Sequence, residues 1–179
     1  MSTSSGSLPS AWKLSTDIYL GLGGNLGDPP ATFQQALKLV GEFTQVTKVS
    51  KLYRSKPYGF SDQPDFYNAA ARISTDLDPL DLLARLQDIE QKLGKKVVRE
   101  NGPRIIDLDL LLYGDDSLNL PDLQLPHPGI LERDFVLRPL HDLNPALSHP
   151  NWQGKSLQDA LTEIGQSFLF ESPMPFDFN

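Results

Sequence analysis

Two carboxylates stand two residues apart in a strongly apolar stretch near the middle of this 179-residue chain. The stretch runs from Gly102 to Tyr113, and the pair is Asp107 and Asp109. Successive side chains of a strand point to opposite faces, so the two carboxylates share one face and repel each other at about 6 to 7 Å. A divalent cation would relieve that repulsion, and Mg²⁺ prefers oxygen ligands. The alternative is a half-buried strand whose polar face looks into water.

The residues around the pair suggest how it is held and what it could bind. By the same alternation, the opposite face is predicted to turn to the core, and it consists of Ile106, Leu108, Leu110 and Leu112. Gly102-Pro103 marks a turn, which puts Arg104 at the mouth of the strand, within reach of an anion that bridges the metals. Carboxylates, a cation and a guanidinium are the parts needed to bind a nucleotide polyphosphate and to neutralise charge as phosphorus is attacked.

The overall composition narrows the classes of protein to which these residues could belong. The chain has no cysteine, which excludes zinc–thiolate sites, thiol catalysis and disulfides and is compatible with a reducing cytosol. The histidines lack the i, i+4 spacing of a helical metal site, so a bound metal should be a hard cation on oxygen ligands. The net charge of −7 argues against nucleic-acid and anionic-membrane binding. We therefore expect a monomeric, cytoplasmic protein that acts on small molecules.

The elements that must position these residues follow the order β-α-β-β-α-β. Apolar runs and turn signals predict strands at Ile18–Leu22, Val46–Arg54, Phe66–Thr75 and the stretch with the two carboxylates, and helices from Asp28 to Gly41 and from Asp78 to Gly94. This order is typical of the ferredoxin-like α+β fold, in which both helices cover one face of an antiparallel sheet. The other face is then free for a ligand.

The whole chain is predicted to form one domain with two tails. Residues 17–166 form the domain, residues 1–16 a mobile, Ser-rich tail and residues 167–179 a C-terminal tail. The proline-rich part after Tyr113 should wrap the ligand face as loops and short helices, the last of which opens with a capping box at Ser156 and Asp159. The phenylalanines near the C-terminus are expected to pack on the domain, and they are Phe168, Phe170, Phe176 and Phe178.

Two further motifs would lie on the ligand face of the sheet. The glycine-rich segment 21–27 lies between a strand and a helix, as phosphate-binding loops do, but Leu26 stands where a dinucleotide-binding motif needs glycine. We interpret the segment as a turn that lets the backbone pass close to the ligand face. On the third strand, Asn68 shares a face with Phe66 and can offer a donor and an acceptor to a planar heterocycle. Alone, such an amide is more often structural.

Three other groups of residues indicate a binding site only if the fold brings them together. Gln87 and Glu90 are neighbours at i and i+3 on the second helix. Prolines on both sides fix the imidazole of His127 in a stiff loop, and Arg133 places a second guanidinium near Phe135. Taken singly, the helical pair would be solvated and the histidine would be a surface loop residue.

In this order the motifs resemble those of the 6-hydroxymethyl-7,8-dihydropterin pyrophosphokinase family of folate biosynthesis. The resemblance runs from about Ile18 to about Gly165. The segments that carry it are Gly21–Gly27, Leu52–Ser55, Asp62–Ala70, Gly102–Asp109 and Leu125–Pro128. The most specific are Gly-Pro-Arg-x-x-Asp-Leu-Asp and, upstream of it, Gln-Pro-Asp-x-x-Asn.

The resemblance implies an enzyme that transfers pyrophosphate from ATP to the hydroxymethyl oxygen of the pterin and releases AMP. It implies that Asp107 and Asp109 hold two Mg²⁺ ions and act in catalysis with Arg104. The residues implied for ATP are Gln87, Glu90, Arg104, Leu110, His127 and Arg133. Those implied for the pterin are Ser55, Pro57, Tyr58, Phe66, Asn68 and Phe135, with the heterocycle between the rings of Phe66 and Phe135. Loops near Phe60 and Val98 are expected to act as lids.

The chain departs from the family pattern at several positions. Asn101 stands where tryptophan is common, and the loop Gly94–Gly102 is one residue shorter than in well-known bacterial members. Asp122 and Gln124 replace residues that can contact the nucleotide. Two other functions stay open. One is a palm-like nucleotidyl transferase or cyclase on the same fold, whose template contacts the acidic surface does not favour; the other is a non-enzymatic binding module with two solvated aspartates.

Overall fold

A five-stranded antiparallel sheet forms the centre of the molecule. The computed structural model describes residues 17–96, 99–170 and 172–178; the predicted N-terminal tail (1–16) and the predicted lid residue Val98 lie outside these ranges. The strands are β1 (Ile18–Gly24), β2 (Gln45–Val49), β3 (Tyr53–Ser55), β4 (Phe66–Ser74) and β5 (Asp107–Tyr113). Their order is β2-β4-β1-β5, and β3 pairs with β4 further along the same edge as β2. The strand with both aspartates, β5, therefore lies beside β1.

Short helices and one hairpin complete the described chain. The helices are α1 (Pro29–Val40), α2 (Pro79–Lys92), α3 (Asp134–Leu143) and α4 (Leu157–Glu163), with 3-10 turns at Ile130–Glu132 and Pro150–Trp152. The hairpin pairs β6 (Leu118–Leu120) with β7 (Leu123–Leu125). No helix in the described part of the chain is long and apolar enough to cross a membrane.

The two helices predicted between the strands begin at their predicted caps. The carboxylate of Asp28 accepts a hydrogen bond from Ala31 N (3.2 Å), and that of Asp78 accepts one from Asp81 N (2.9 Å). Buried side chains of α1 and α2, such as Phe33, pack in one core with those of the sheet. Both helices thus cover the same face, and the predicted ferredoxin-like α+β fold is confirmed.

The predicted second strand, Val46–Arg54, is wrong because it is two strands, β2 and β3, separated by residues 50–52. In the gap, Leu52 exchanges backbone hydrogen bonds with Met174 (2.9 and 2.8 Å) rather than with β4. The partner lies far along the chain, in the C-terminal segment. A local apolar pattern could therefore not reveal the break.

A β-bulge in β5 overturns the predicted position of Leu112. Tyr19 of β1 lies opposite Leu112, whereas the next residue of β1 lies opposite Leu110, so Leu111 is an extra residue. As a result, Leu111 and Leu112 both join the core on the ligand face. Ahead of the bulge the predicted alternation holds, with Ile106, Leu108 and Leu110 in the core beneath the helices. The bulge comes after both aspartates, so it does not separate them.

The second face of the sheet carries α3 and α4. Leu137 of α3 and Leu157 of α4 form a second core with Tyr19 of β1. The predicted capping box opens α4, because Ser156 Oγ accepts from Asp159 N and the Asp159 carboxylate accepts from Ser156 N, both at 3.0 Å. These helices cover one end of the face. The other end, where β5 begins, lines a cavity.

Candidate active site

Two cavities open side by side at the uncovered end of the sheet. Residues that line the first, over β1, β4 and β5, include Gly23, Ser55, Lys56, Tyr58, Phe66, Asn68, Arg104, Asp107, Asp109, His127, Arg133 and Phe135. Residues that line the second, between α2, β5 and the hairpin, include Gln87, Glu90, Lys95, Asp109, Leu110, Asp122, Gln124 and His127. Asp109 and His127 line both cavities. Of the predicted site residues, all but Pro57 line one cavity or the other.

Asp107 is bound by two cationic side chains. One carboxylate oxygen lies 2.7 Å from Lys95 Nζ, and the other accepts a hydrogen bond from Arg104 Nε. Lys95 also bonds the carboxylate of Glu90 at 3.1 Å. Burial opposes the charge of Lys95, but Asp107 and then Glu90 outweigh burial and raise the pKa of its ammonium group. Lys95 therefore keeps its positive charge at neutral pH.

Asp109 has a different environment from Asp107, two residues away. In the described residues it forms no ion pair. Asp109 is exposed to the cavities, where the surrounding protein partly desolvates it and the charges of Asp107 and Glu90 further oppose its ionisation. These effects, desolvation first, raise its pKa to about 7. A divalent cation beside it would favour the ionised form.

Glu90 is buried, with 7% of its surface exposed, whereas its helical neighbour Gln87 is exposed. The expectation that the isolated pair would be solvated is therefore wrong for Glu90. Its carboxylate accepts a hydrogen bond from Leu108 N (2.7 Å), between the two aspartates. Burial raises the pKa of Glu90, although this hydrogen bond and Lys95 act in the opposite direction. Glu90 thus ties α2 to β5 at the edge of the second cavity.

His127 is held in place by two hydrogen bonds. Its backbone N–H donates to the carbonyl oxygen of Leu111, the extra residue of the bulge (2.8 Å), and its Nδ1 accepts from Gly129 N (3.0 Å). Because Nδ1 is an acceptor, the neutral ring carries its proton on Nε2. Burial and the nearby Arg133 lower the pKa of the ring. A neutral Nε2–H donor therefore stands at the boundary between the cavities.

The first cavity has the composition of a site for a flat heterocycle. Tyr58, Phe66 and Phe135 supply aromatic rings to its lining. The amide of Asn68 is 9% exposed and donates to Ser55 Oγ (2.8 Å). One N–H and the carbonyl oxygen of this amide are left for a ligand.

Both predicted anion-binding arginines pack on aromatic rings. Cζ of Arg104 lies 4.9 Å from the ring centroid of Phe66, and Cζ of Arg133 lies 4.5 Å from that of Tyr58. Within the described residues, the buried Nε of Arg133 has no hydrogen-bond partner. A buried donor without an acceptor costs about 1–3 kcal/mol. An anionic ligand at this wall of the first cavity would supply the acceptor.

Asn25 joins three of the segments that define the site. It is 6% exposed; its Oδ1 accepts from Arg104 N (3.0 Å), and its Nδ2 donates to Gln63 Oε1 (2.9 Å). Next to it, a Cβ on Gly24 would lie 2.5 Å from the carbonyl oxygen of Ile105. Of the glycine-rich segment predicted as a turn, Gly21–Gly24 instead belong to β1, and the chain turns only after Gly24, where it packs closely against Ile105. The sequence prediction missed Asn25 itself, and its place inside a recognised motif was the available signal.

Comparison with known proteins identifies the family. Residues 19–145 match the family described as "7,8-dihydro-6-hydroxymethylpterin-pyrophosphokinase (HPPK)". The match spans well over half of the 179-residue chain. This chain belongs to the HPPK family. The resemblance inferred from the motifs is therefore confirmed.

Bacterial members of the HPPK family align with most of this chain. The 2-amino-4-hydroxy-6-hydroxymethyldihydropteridine pyrophosphokinase of Haemophilus influenzae is 42% identical over 152 residues, which are 84% of this chain and 91% of that protein. The protein of the same name from Aquifex aeolicus is 38% identical over 133 residues, 74% of this chain and 83% of that protein.

Some relatives are much longer. The folic acid synthesis protein fol1 of Pneumocystis carinii is 46% identical over 134 residues, 74% of this chain but 18% of that protein. This chain therefore spans about a fifth of the length of such relatives. A crystal structure of wild-type Plasmodium falciparum HPPK-DHPS with pteroate matches with a TM-score of 0.67 at 17% identity, covering 83% of this chain and 42% of that one. At this identity the likeness concerns the fold alone.

The protein ligands available for a metal in this HPPK-family site are few. Across the described ranges, no three side chains of His, Cys, Asp or Glu come together as a metal-binding group. The two aspartates of β5 are the available oxygen ligands, and both line the first cavity. Such a hard, incomplete set of oxygen ligands fits Mg²⁺, which retains waters and takes further oxygens from substrate phosphates.

Two loops beside the site contact each other. The guanidinium of Arg99 lies 3.8 Å from the ring centroid of Phe60, and Gln63 Nε2 donates to the carbonyl oxygens of Phe60 and Asn101, both at 2.6 Å. Asn101, where the family pattern has tryptophan, also lines the first cavity. The predicted lid near Phe60 is thus joined to the residues just before the Gly-Pro-Arg motif.

Proposed function

We propose that this chain transfers a pyrophosphoryl group from ATP to the hydroxymethyl oxygen of 6-hydroxymethyl-7,8-dihydropterin and releases AMP. The proposal rests on one observation: two neighbouring cavities share Asp109 and His127 in their linings. The aromatic first cavity suits the pterin, and the second suits the adenosine of ATP. The triphosphate would then cross the boundary, where the aspartates and arginines lie.

We propose two Mg²⁺ ions as the cofactor, held by Asp107 and Asp109. When bound, Mg²⁺ neutralises phosphate charge and lowers the pKa of the attacking hydroxyl. Lys95 and Arg104, which bind Asp107 in this structure, would turn to phosphate oxygens. Glu90 would keep β5 in position through its bond to the backbone between the aspartates.

The reaction is an in-line displacement at the β-phosphorus of ATP. A bond forms between the pterin oxygen and the β-phosphorus, the bond from the β-phosphorus to the oxygen shared with the α-phosphorus breaks, and AMP leaves with that oxygen. The hydroxyl proton passes to water. Asn68 and the aromatic rings would orient the pterin, while Arg104 and Arg133 would stabilise the phosphate charge. Positioning and charge neutralisation can therefore carry the catalysis without a dedicated general base.

The nature of the nucleotide product tests this proposal. With Mg²⁺, ATP and 6-hydroxymethyl-7,8-dihydropterin, the purified chain should form AMP in step with the loss of the pterin, as resolved by anion-exchange chromatography. Reactions without pterin and without Mg²⁺ are the controls, and neither should yield AMP. ADP as the product would indicate an ordinary kinase and contradict the proposal. AMP formed without loss of the pterin would indicate hydrolysis and contradict it equally.

We also propose that the chain acts as a monomer in the cytoplasm. All predicted residues for the pterin and for ATP except Pro57 line the two cavities of one chain. The lack of cysteine suits a reducing compartment. Light scattering of the purified chain and fractionation of the source cells would test the two statements.

A further inference from the structure

The C-terminal segment, residues 167–170 and 172–178, extends the sheet beside the first cavity. Lys56 N donates to the carbonyl oxygen of Phe168 (2.8 Å), and Phe170 N donates to that of Arg54 (3.0 Å). These bonds add the segment as an antiparallel partner to β3 and the residue after it. Ser55 at the end of β3 and Lys56 both line the first cavity. The segment is therefore fastened to the backbone that borders the cavity.

A buried carboxylate fixes the start of this segment. Asp134, the first residue of α3, is 5% exposed and accepts hydrogen bonds from Ser167 Oγ (2.7 Å), Phe168 N (3.0 Å) and Leu169 N (3.4 Å). A carboxylate in the first turn of a helix is also favoured by the helix dipole. The residues on either side of Asp134 line the first cavity. One turn of the chain thus presents two cavity residues and anchors the segment.

Between these anchors, the ring of Phe168 completes a cluster of three aromatic side chains. Its centroid lies 5.4 Å from that of Tyr58 and 5.9 Å from that of Phe135, and the latter two lie 6.1 Å apart. Tyr58 and Phe135 line the cavity, whereas Phe168 does not. Phe168 therefore stands behind the two rings that a bound heterocycle would meet.

We propose that Phe168 is a positioning residue for the pterin, because it packs against Phe135, one of the two rings between which the heterocycle is expected to lie, and against Tyr58, which supports Phe135. The inference rests on the proposed function of the first cavity. It places a residue of the C-terminal segment in the substrate site, beyond residues 19–145 that match the HPPK family.

The effect should fall on pterin binding rather than on ATP binding. Tyr58 lies in the irregular chain between β3 and β4 and is 39% exposed, and besides Phe135 and Phe168 its ring packs on the guanidinium of Arg133. Without Phe168, Tyr58 and Phe135 would sample more rotamers, and pterin binding would have to order them. The second cavity is lined by none of these three residues. Affinity for ATP should therefore change much less than affinity for the pterin, although Tyr58 also packs on Arg133.

The test compares three single variants of the full chain in steady-state assays of AMP release. Phe168→Leu keeps an apolar side chain but removes the ring, and it should raise the KM for pterin about tenfold. The KM for ATP and kcat should stay within about twofold of the wild type. Phe168→Tyr restores the ring and should restore the KM. The matched control is Phe170→Leu, because Phe170 belongs to the same segment but packs under Arg54, 4.3 Å from its guanidinium.

Several outcomes would overturn the inference while leaving the proposed function intact. These are an unchanged KM for pterin in Phe168→Leu, an equal rise in the KM values of both substrates, and the same rise in Phe170→Leu. A wild-type chain that releases no AMP would instead refute the proposed function. If Phe168→Leu does not fold, Phe168→Met makes the same comparison with an unbranched apolar side chain.

Discussion

The two sides of the site are built by different physical means. The first cavity presents aromatic rings and a neutral amide, with Asn68 hydrogen-bonded to Ser55. The boundary with the second cavity presents charge, with Lys95 bound to both Glu90 and Asp107. The first set of groups suits a flat neutral ring, and the second suits a metal–polyphosphate.

The two sides also differ in what holds them. The carboxylates belong to β5 and α2, and Glu90 joins these elements through the backbone of β5. Two of the rings depend on less regular parts, because Tyr58 lies between strands and Phe168 in the C-terminal segment. Metal and phosphate geometry tolerates little movement, whereas stacking on a ring tolerates more. Changes on the charged side should therefore reduce turnover, and changes on the aromatic side should reduce affinity for the pterin.

The largest expected effect comes from neutralising either aspartate of β5. Asp107→Asn and Asp109→Asn keep the size of each side chain but weaken its affinity for a cation. The kcat for AMP release should fall at least about 100-fold in each variant, because less charge is neutralised at the phosphates. The KM for pterin should change little. Rates measured across a Mg²⁺ titration would show the loss directly.

The matched control for these variants is Glu163→Gln. Glu163 is an exposed carboxylate at the end of α4 that forms an ion pair with Lys155 at 2.7 Å. Because exposed pairs contribute little, this variant should keep nearly the full rate. Near-normal turnover in either β5 variant would contradict the metal assignment. Pterin and ATP binding that persist unchanged without Mg²⁺, in a chain with no turnover, would instead indicate a binding module.

The next effect, on the aromatic side, is expected from Asn68→Leu. The substitution keeps the volume but removes the amide and leaves Ser55 Oγ without its donor. Loss of a buried hydrogen bond to the ligand should raise the KM for pterin about tenfold or more, with the KM for ATP unchanged. Asn144→Leu is the control, because that amide donates to Tyr19 Oη (3.1 Å) at the covered end of the sheet. An equal rise in the KM for pterin and the KM for ATP would contradict the division of the site into a pterin side and a charged side.

Much of the fold follows from signals that are local in sequence. Asp28 and Asp78 cap the two helices as predicted, because a cap needs only the residues that follow it. The break between β2 and β3 was missed, since Leu52 finds its partner in Met174 near the other end of the chain. Helix α3 was not predicted individually because Pro139 lies inside it, where proline normally ends a helix. Its packing against β4 outweighs that preference.

For the site, too, long-range contacts could not be predicted from the sequence. The family motifs name residues that the structure brings together around two cavities, but they do not name the partners of those residues. Lys95 bound to Asp107 and Phe168 behind Tyr58 are long-range contacts that spacing does not encode. The burial of Glu90 had a signal, because position 90 is four residues after Leu86 on the apolar face of α2. A carboxylate at such a position needs partners, and the structure supplies them.

The smallest expected effect is at the boundary between the two sides, where His127 stays neutral. Its pKa lies below the ordinary value of 6.5 because of burial and Arg133. As pH falls below about 6.5, the unfolded chain therefore binds more protons at this position than the folded chain, and the free energy of unfolding decreases. His127→Gln removes this titration. Between pH 8 and pH 5, the Tm of the ligand-free wild type should fall more steeply than that of the variant.

The pKa of His127 can also be measured directly, from the chemical shifts of its ring protons across a pH titration. The His127 signal is the one that disappears from the spectrum of His127→Gln. A midpoint below 6.5 is expected. A midpoint above 6.5, or parallel Tm curves, would mean that a positive charge on the ring is tolerated or stabilised in the folded chain. His127 would then belong with Lys95 and Arg104 among the cations of the charged side. A low midpoint instead makes it a neutral donor, so a charged ligand would meet full positive charge only from the lysine and arginines around it.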